Sequence, residues 1–361
     1  MSIENRKSEH IEHAANQISQ GPLTTLLENV IIVHQAFTEL SMDEIDLSTE
    51  FLGYKLQAPV LISGMTGGFD GAFNINKKLA ELAEEYRLAI GVGSQRAMIL
   101  KPELSYTYRV VRDVAHSVPV IANIGIAQLS TINYESIEWI VESLEADALA
   151  IHLNMLQELI QCEGDRSFKG AIKSLEKIIE KIDVPIIIKE VGNGLSREVA
   201  SKFYNLGIRI FDVAGAGGTN WVTIEMLRME GKHSKIGEAF RTWGIPTAAS
   251  IVEASSIGSD VIVIASGGIR TGVDIAKAIS LGAELVGIAQ PFLRAVLSGR
   301  EKEYTDTLLK QLRIAMMLAG CRNIMELKNI HIVVHGLLAQ WLCARKLKIR
   351  NNNSYIPCFI N

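Results

Sequence analysis

Residues Asp147 to Asp165 read DALAIHLNMLQELIQCEGD, and the alternation at the head of this stretch is what points to the fold. Ala148, Ala150, His152 and Asn154 share one face of an alternating strand, and Leu149, Ile151 and Leu153 share the other. The small-then-polar face predicts the interior and mouth of a barrel, and the aliphatic face predicts contact with helices. Immediately beyond, Gln157, Glu158, Gln161, Glu163, Asp165 and Arg166 concentrate polar side chains at the strand end.

Seven similar apolar runs flank this one: APVLIS from Ala58, LAIGVG from Leu88, PVIANI from Pro119, VPIIIK from Val184, IRIFDV from Ile208, DVIVIA from Asp260 and ELVGIA from Glu284. Each is followed by helical spacing, and continuous apolar runs alternating with helices imply a parallel sheet buried on both faces. Eight such units predict an α/β fold, a (β/α)8 TIM barrel. The division expected is an N-terminal extension over 1–57, a single barrel domain with C-terminal helices over 58–348, and a frayed tail over 349–361. The extension is expected to cover the barrel bottom or to reach round to the site, and the chain after residue 291 reads as helical to about Lys348. An open doubly wound sheet is the alternative. Against it, the first turn, SGMTGGFDG (Ser63 to Gly71), is not GxGxxG, and no acidic residue closes the second strand to hold a ribose. The longest gap, Ala214 to Ser259, predicts a lid or pocket wall.

Hydrophobic residues make up 48% of the 361 and charged residues 21%, with a formal net charge of −4. That balance gives a large core and no basic field for nucleic acid or an anionic membrane surface, so the expected partners are small molecules. The four cysteines, Cys162, Cys321, Cys343 and Cys358, lack zinc spacing, and with no secretory h-region at the N-terminus the expectation is a cytoplasmic protein with reduced thiols. Val114 to Tyr134 carries no charged residue, but Pro119, Asn123, Gly125, Gln128 and Asn133 break it, so no membrane span is expected.

Two glycine-rich segments, AGAGGTNW from Ala214 and ASGGIRTG from Ala265, close strands six and seven. Gly267, Gly268 and Arg270 suit a phosphate at that face, where backbone amides and a guanidinium can meet an anion; plain tight turns are the alternative. MTGG (Met65 to Gly68), VGSQR (Val92 to Arg96) and ANIG (Ala122 to Gly125) end strands one to three. With Lys189 they ring one face and suit a planar cofactor with a phosphate tail, Thr66, Ser94 and Asn123 pairing with its polar edge. Lys189 would stabilise negative charge on such a ring, or else pair with Glu190 or Asp212. Glu158 suits Mg2+, which takes one or two carboxylates; a solvated acidic loop is the alternative. In RKSEHIEH, Arg6 and Lys7 offer charge to an anion or simply meet solvent, and His10 with His13 is too sparse for a metal site.

Together these residues resemble the type II, FMN-dependent isopentenyl diphosphate isomerases. The likeness runs from RKSEH through MTGG, GSQR, ANIG, HLNxLQExxQxEGDRxF, KEVGNG, DVAGAGGTNW, WGIPT and ASGGIRTG to about Cys321. It implies conversion of isopentenyl diphosphate to dimethylallyl diphosphate with reduced FMN, Mg2+ and NADPH as the flavin's reductant, without net redox change, in a homo-oligomer, a tetramer or octamer. By the same resemblance Met65, Thr66, Gly67, Ser94, Asn123, Lys189, Thr219, Gly267, Gly268, Ala289 and Gln290 contact FMN. Arg6, Lys7, Ser94, Gln95, Arg96, His152, Asn154 and Gln157 hold the substrate, with Gln157, His152 and Asn154 as the catalytic group, and Glu158 binds the metal. Met155 and Cys162 depart from the pattern, standing where proline is usual; proline confines the residue before it to extended conformations, so Asn154 and Gln161 lose that constraint. The alternative function is an FMN-dependent 2-hydroxy acid oxidoreductase. That chemistry needs a late-barrel His base beside an Arg, and no His lies near strands seven or eight.

Overall fold

In a computed structural model, which describes residues 3–228 and 232–350, the eight runs form one closed parallel barrel. Its strands are Val60–Ile62, Ala89–Gly91, Val120–Gly125, Ala148–Leu153, Ile186–Glu190, Ile210–Asp212, Ile262–Ser266 and Leu285–Ile288. The eighth pairs with the first, Gly287 beside Leu61, so the sheet has no edge. The alternation read from strand four holds. Ala148 and Ala150 join Leu61, Ala89, Ile121, Ile187, Ile210, Ile264 and Leu285 inside the barrel. Leu149 and Ile151 pack outward with Ile188, Phe211 and Val263 against the helices.

The first 57 residues do two jobs. A hairpin of Thr49–Phe51 and Tyr54–Leu56 sends Phe51 and Leu56 into the inner cluster, closing the barrel bottom. Its two-residue turn places Leu52 at φ 51 and Gly53 at φ 80, the pair of positive values such a turn requires. Leu52 accepts the strain and covers the plug. At the other end, the helix Ile3–Ala15 brings Arg6, Lys7 and His10 to the barrel mouth.

The C-terminal segment is not helical throughout. Ile332–Val334 forms a strand antiparallel to Val30–Ile32, with Val30 opposite Val334, and ties the two extensions together outside the barrel. Three residues are too few to register as a period within a helical run. Cys343 is disulfide-bonded, which corrects the expectation of reduced thiols; Cys162 and Cys321 are free. Of the expected tail, Ile349 is buried and Arg350 donates to the Val261 carbonyl at 2.6 Å; the remainder lies outside the described residues. No described helix is long and apolar enough to cross a membrane.

Candidate active site

Strand register assembles the floor of the site. His152 lies beside Lys189, and Lys189 beside Asp212, so three inward polar side chains follow one another around the barrel. Lys189 Nζ pairs with Asp212 Oδ2 at 2.8 Å, which also accepts a hydrogen bond from Ser266 Oγ at its other oxygen. Above them lies a cavity of about 250 Å3 bounded by all eight strand ends and by the helix Ile3–Ala15.

Of the residues picked out from the sequence, Arg6, Lys7, Met65, Thr66, Ser94, Arg96, Asn123, His152, Asn154, Gln157, Glu158, Lys189, Thr219, Gly267, Gly268, Arg270, Ala289 and Gln290 line this cavity. Gln95 does not. It is wholly buried, donates to the Ile140 carbonyl at 2.9 Å and accepts from the Asn123 amide at 2.9 Å, so it props a lining residue from behind. Gly67 is also set back, under the turn and against Tyr108.

The tautomer of His152 follows from its neighbours. Asn123 Nδ2 donates to the Val92 carbonyl, so Asn123 Oδ1 faces the imidazole at 2.7 Å and must accept from Nδ1–H. The Nε2 lone pair is left as an acceptor. Burial, reinforced by Lys189 and Lys7, pushes the His152 pKa down to about 3, so the ring stays neutral.

The segment after strand four folds into the short helix Met155–Ile160 and then doubles back. Glu158 is buried and accepts from Asn154 Nδ2 at 3.0 Å, Gln161 Nε2 at 2.6 Å and the Asp165 amide at 2.8 Å. These donors are neutral, and Glu158 has no ion pair among the described residues. They also fix Asn154 and Gln161, the residues that precede Met155 and Cys162, by hydrogen bonds instead of proline. Glu163 and Asp165 turn to arginines: Glu163 to Arg228 at 3.0 Å and Arg6 at 4.0 Å, and Asp165 to Arg96 at 3.4 Å. Gln128 Nε2 joins Asp165 at 2.9 Å.

Sequence reading missed Glu225, which lies on the helix Trp221–Arg228 within the expected wall segment. Its Oε1 accepts from Gln157 Nε2 at 2.9 Å and from His10 Nε2 at 3.0 Å, and its other oxygen pairs with Arg228. Burial pushes Glu225 up, but His10, Gln157 and Arg228 outweigh it and hold the carboxyl below its usual range. Burial lowers His10 despite Glu225. The spacing of Trp221, Glu225 and Arg228 by three and four residues marks one helical face, but nothing local says which face meets the site.

Lys7 Nζ donates to the Ser94 carbonyl at 2.7 Å, and burial together with Arg6 lowers its pKa to about 7. Arg270 braces the glycine loops, donating to the Gly268 carbonyl at 2.6 Å and the Gly217 carbonyl at 3.1 Å. Gln290 opens the helix Gln290–Leu297, and its side chain anchors the N-terminal segment through the Ala14 carbonyl at 2.6 Å.

The residues present fit a flavin nucleotide. Ser63 Oγ, Thr66 Oγ1 and Asn154 Oδ1 are buried at the cavity wall without a hydrogen-bond partner among the described residues, a cost that a polar ligand removes. Gly267 and Gly268, at φ 98 and 76, and the N-terminus of Gln290–Leu297 stand after strands seven and eight, a common phosphate position in such barrels. Among the described residues no group of three or more His, Cys, Asp or Glu could hold a metal. A metal at Glu158 would therefore take its remaining oxygens from ligand and water, as Mg2+ does with phosphates.

Comparison with known proteins agrees with this geometry. A family model described as FMN-dependent dehydrogenase matches residues 112–334. The isopentenyl-diphosphate delta-isomerase of Pyrobaculum islandicum is 44% identical over 96% of this chain and 99% of its own length. That of Metallosphaera sedula is 41% identical over 97% of both chains, and that of Methanosarcina mazei is 42% identical over 96% of both. Among solved structures, a flavocytochrome b2 double mutant with pyruvate bound superposes with a TM-score of 0.65 at 18% identity, covering 88% of this chain and 81% of that one. A mandelate oxidase mutant with benzaldehyde gives 0.61 at 16% identity, covering 88% and 96%. These two likenesses speak for the barrel fold alone.

Proposed function

The chain belongs to the isopentenyl-diphosphate delta-isomerase family, and from that premise we propose that it interconverts isopentenyl and dimethylallyl diphosphate with FMN and Mg2+ and without net redox change. The reaction adds a proton to a terminal alkene carbon and removes another from the allylic carbon. An unactivated alkene is a feeble base, so donor and acceptor must be held close to it in a dry pocket. Bound and reduced, FMN supplies a proton donor and acceptor at N5, kept reduced by NADPH. The remaining tasks fall to the chain.

Arg6, Lys7 and Arg96 clamp the diphosphate, and Glu158 would hold Mg2+, which would supply further positive charge to it. His152, neutral and with Nε2 free to accept, orients the ligand without adding charge beside Lys189. Gln157 presents an amide whose direction Glu225 sets: Nε2 is committed to the carboxylate, and the amide oxygen receives Asn154 Nδ2 at 3.3 Å. Gln157 thereby orients the alkene end or passes a proton beside it. The helix Ile3–Ala15 excludes water above.

The observation that carries this reading is one cavity that gathers Arg6, Lys7 and Arg96 with a buried carboxylate, Glu158, whose hydrogen-bond donors among the described residues are all neutral. Cations suit a diphosphate, and a buried carboxylate met by neutral hydrogen-bond donors would suit a divalent metal. The proposal extends to a homo-oligomer, supported by apolar side chains on the outer two-stranded sheet: Ile31, 50% exposed, beside Val333, 40% exposed. The test is to incubate the flavin-loaded protein with isopentenyl diphosphate, Mg2+ and NADPH and follow dimethylallyl diphosphate. Its formation supports the proposal; its absence from flavin-loaded protein refutes it.

A further inference from the structure

Tyr108 is a buried polar side chain that the chemistry above leaves unused. It sits in the helix Tyr106–Val114 and is 1% exposed. Its hydroxyl donates to the Ser94 carbonyl at 2.8 Å and accepts from Lys7 Nζ at 3.2 Å. Lys7 Nζ donates to the same carbonyl at 2.7 Å, so ammonium, phenol and carbonyl close a triangle. The Lys7 ammonium also stands 5.6 Å from the centre of the Tyr108 ring, within cation–π range.

A lysine ammonium on four carbons is mobile and has three donors. Here two are committed, and among the described residues the third has no acceptor and is open to a ligand. The order matters because the helix that carries Lys7 has no fully buried residue and packs on the core through Ile11, Ala14 and Ala15, which fixes its backbone but not the end of the Lys7 side chain. The ring of Tyr108 also fills the space under Gly67, where a Cβ would meet its Cε1 at 2.0 Å. Next to it, Thr107 Oγ1 accepts from the Gly68 amide at 2.9 Å. One helix end therefore supports both the MTGG turn and Lys7.

We propose that Tyr108 is a positioning residue for the diphosphate, its hydroxyl and ring holding the Lys7 ammonium in its binding pose before substrate arrives. This rests on the reading of Lys7 as a diphosphate ligand. Tyr108→Phe keeps the ring, its packing on Gly67 and the bond from Lys7 to Ser94, so only the hydroxyl is lost and the fold is retained.

The experiment is a double-mutant cycle of Tyr108→Phe and Lys7→Ala in the flavin-loaded protein. It reads Kd for isopentenyl diphosphate by calorimetry, KM and kcat, with flavin content as the check on folding. The expected result is a roughly three- to tenfold rise in Kd and KM for Tyr108→Phe, kcat within about twofold, and no further effect of that change in the Lys7→Ala background. A purely structural contribution would persist in that background. If Lys7→Ala weakens binding while Tyr108→Phe does nothing, or the two effects add, the proposal for Tyr108 is overturned and the role of Lys7 stands. If Lys7→Ala leaves affinity unchanged, the reading of Lys7 fails and takes this proposal with it.

Discussion

Gln157 Nε2 donates to Glu225 Oε1 at 2.9 Å across 68 residues of sequence. The contact joins the helix that follows strand four to the wall segment that follows strand six. It also decides which end of the Gln157 amide faces the ligand, because a carboxylate oxygen can only accept.

Glu225→Gln removes that decision. The amide at 157 can then rotate, and the expected outcome is a fall in kcat of roughly 10- to 100-fold with flavin content and melting temperature near those of the parent. Steady-state kinetics beside flavin absorbance checks it. An unchanged kcat would show that the direction of the Gln157 amide does not matter.

Lys7 gives a pH dependence with a defined sign. In the free protein its ammonium loses hydration, so its pKa falls to about 7, and above that value the side chain turns neutral. The diphosphate must then recruit a proton on binding, so kcat/KM falls as pH rises through 7 and levels off at the value of Lys7→Ala. Lys7→Arg, which does not titrate in this range, flattens the profile.

Gly268 sits at φ 76, and a Cβ there would meet the Gly217 carbonyl oxygen at 2.4 Å. The Gly217 carbonyl is backbone and cannot swing aside, and the Thr25 side chain crowds the same position, its Cγ2 at 2.5 Å. Gly268→Ala is expected to cost about 1–3 kcal/mol in strain and to lower the ratio of FMN to protein after purification. Absorbance and thermal melting measure the two effects separately.

Glu158→Gln keeps the size of the side chain but sets an amide against three donors and removes the metal's carboxylate. The expected outcome is loss of Mg2+ stimulation and a fall in activity of ~100-fold or more, with FMN retained. A variant that still responds to Mg2+ as the parent does would show that the metal binds elsewhere.

The barrel was legible because continuous apolar strands and alternating faces are local patterns. Ala148, Ala150 and His152 declared their direction without any knowledge of their partners. The polar run from Gln157 to Asp165 was legible as a concentration of groups, but its division of labour was not: Glu158 turns inward, whereas Glu163 and Asp165 hold arginines. Which carboxylate does which depends on how the loop doubles back, and that follows from contacts far along the chain. Glu225 and Tyr108 were hidden for the same reason, each meeting the site through partners on other strands or helices, whereas Asp212 was legible as a possible partner of Lys189 and is the one it pairs with. The strand Ile332–Val334 was hidden because its partner lies some three hundred residues earlier.

The claim at the centre of this account is proton movement without net redox change. The most direct measurement counts dimethylallyl diphosphate formed per NADPH consumed, under anaerobic conditions, after the flavin has been reduced once. The account predicts many product molecules for each NADPH and solvent deuterium in the product when the reaction runs in D2O. One NADPH consumed per turnover, or equal turnover by the flavin-free protein, would contradict it.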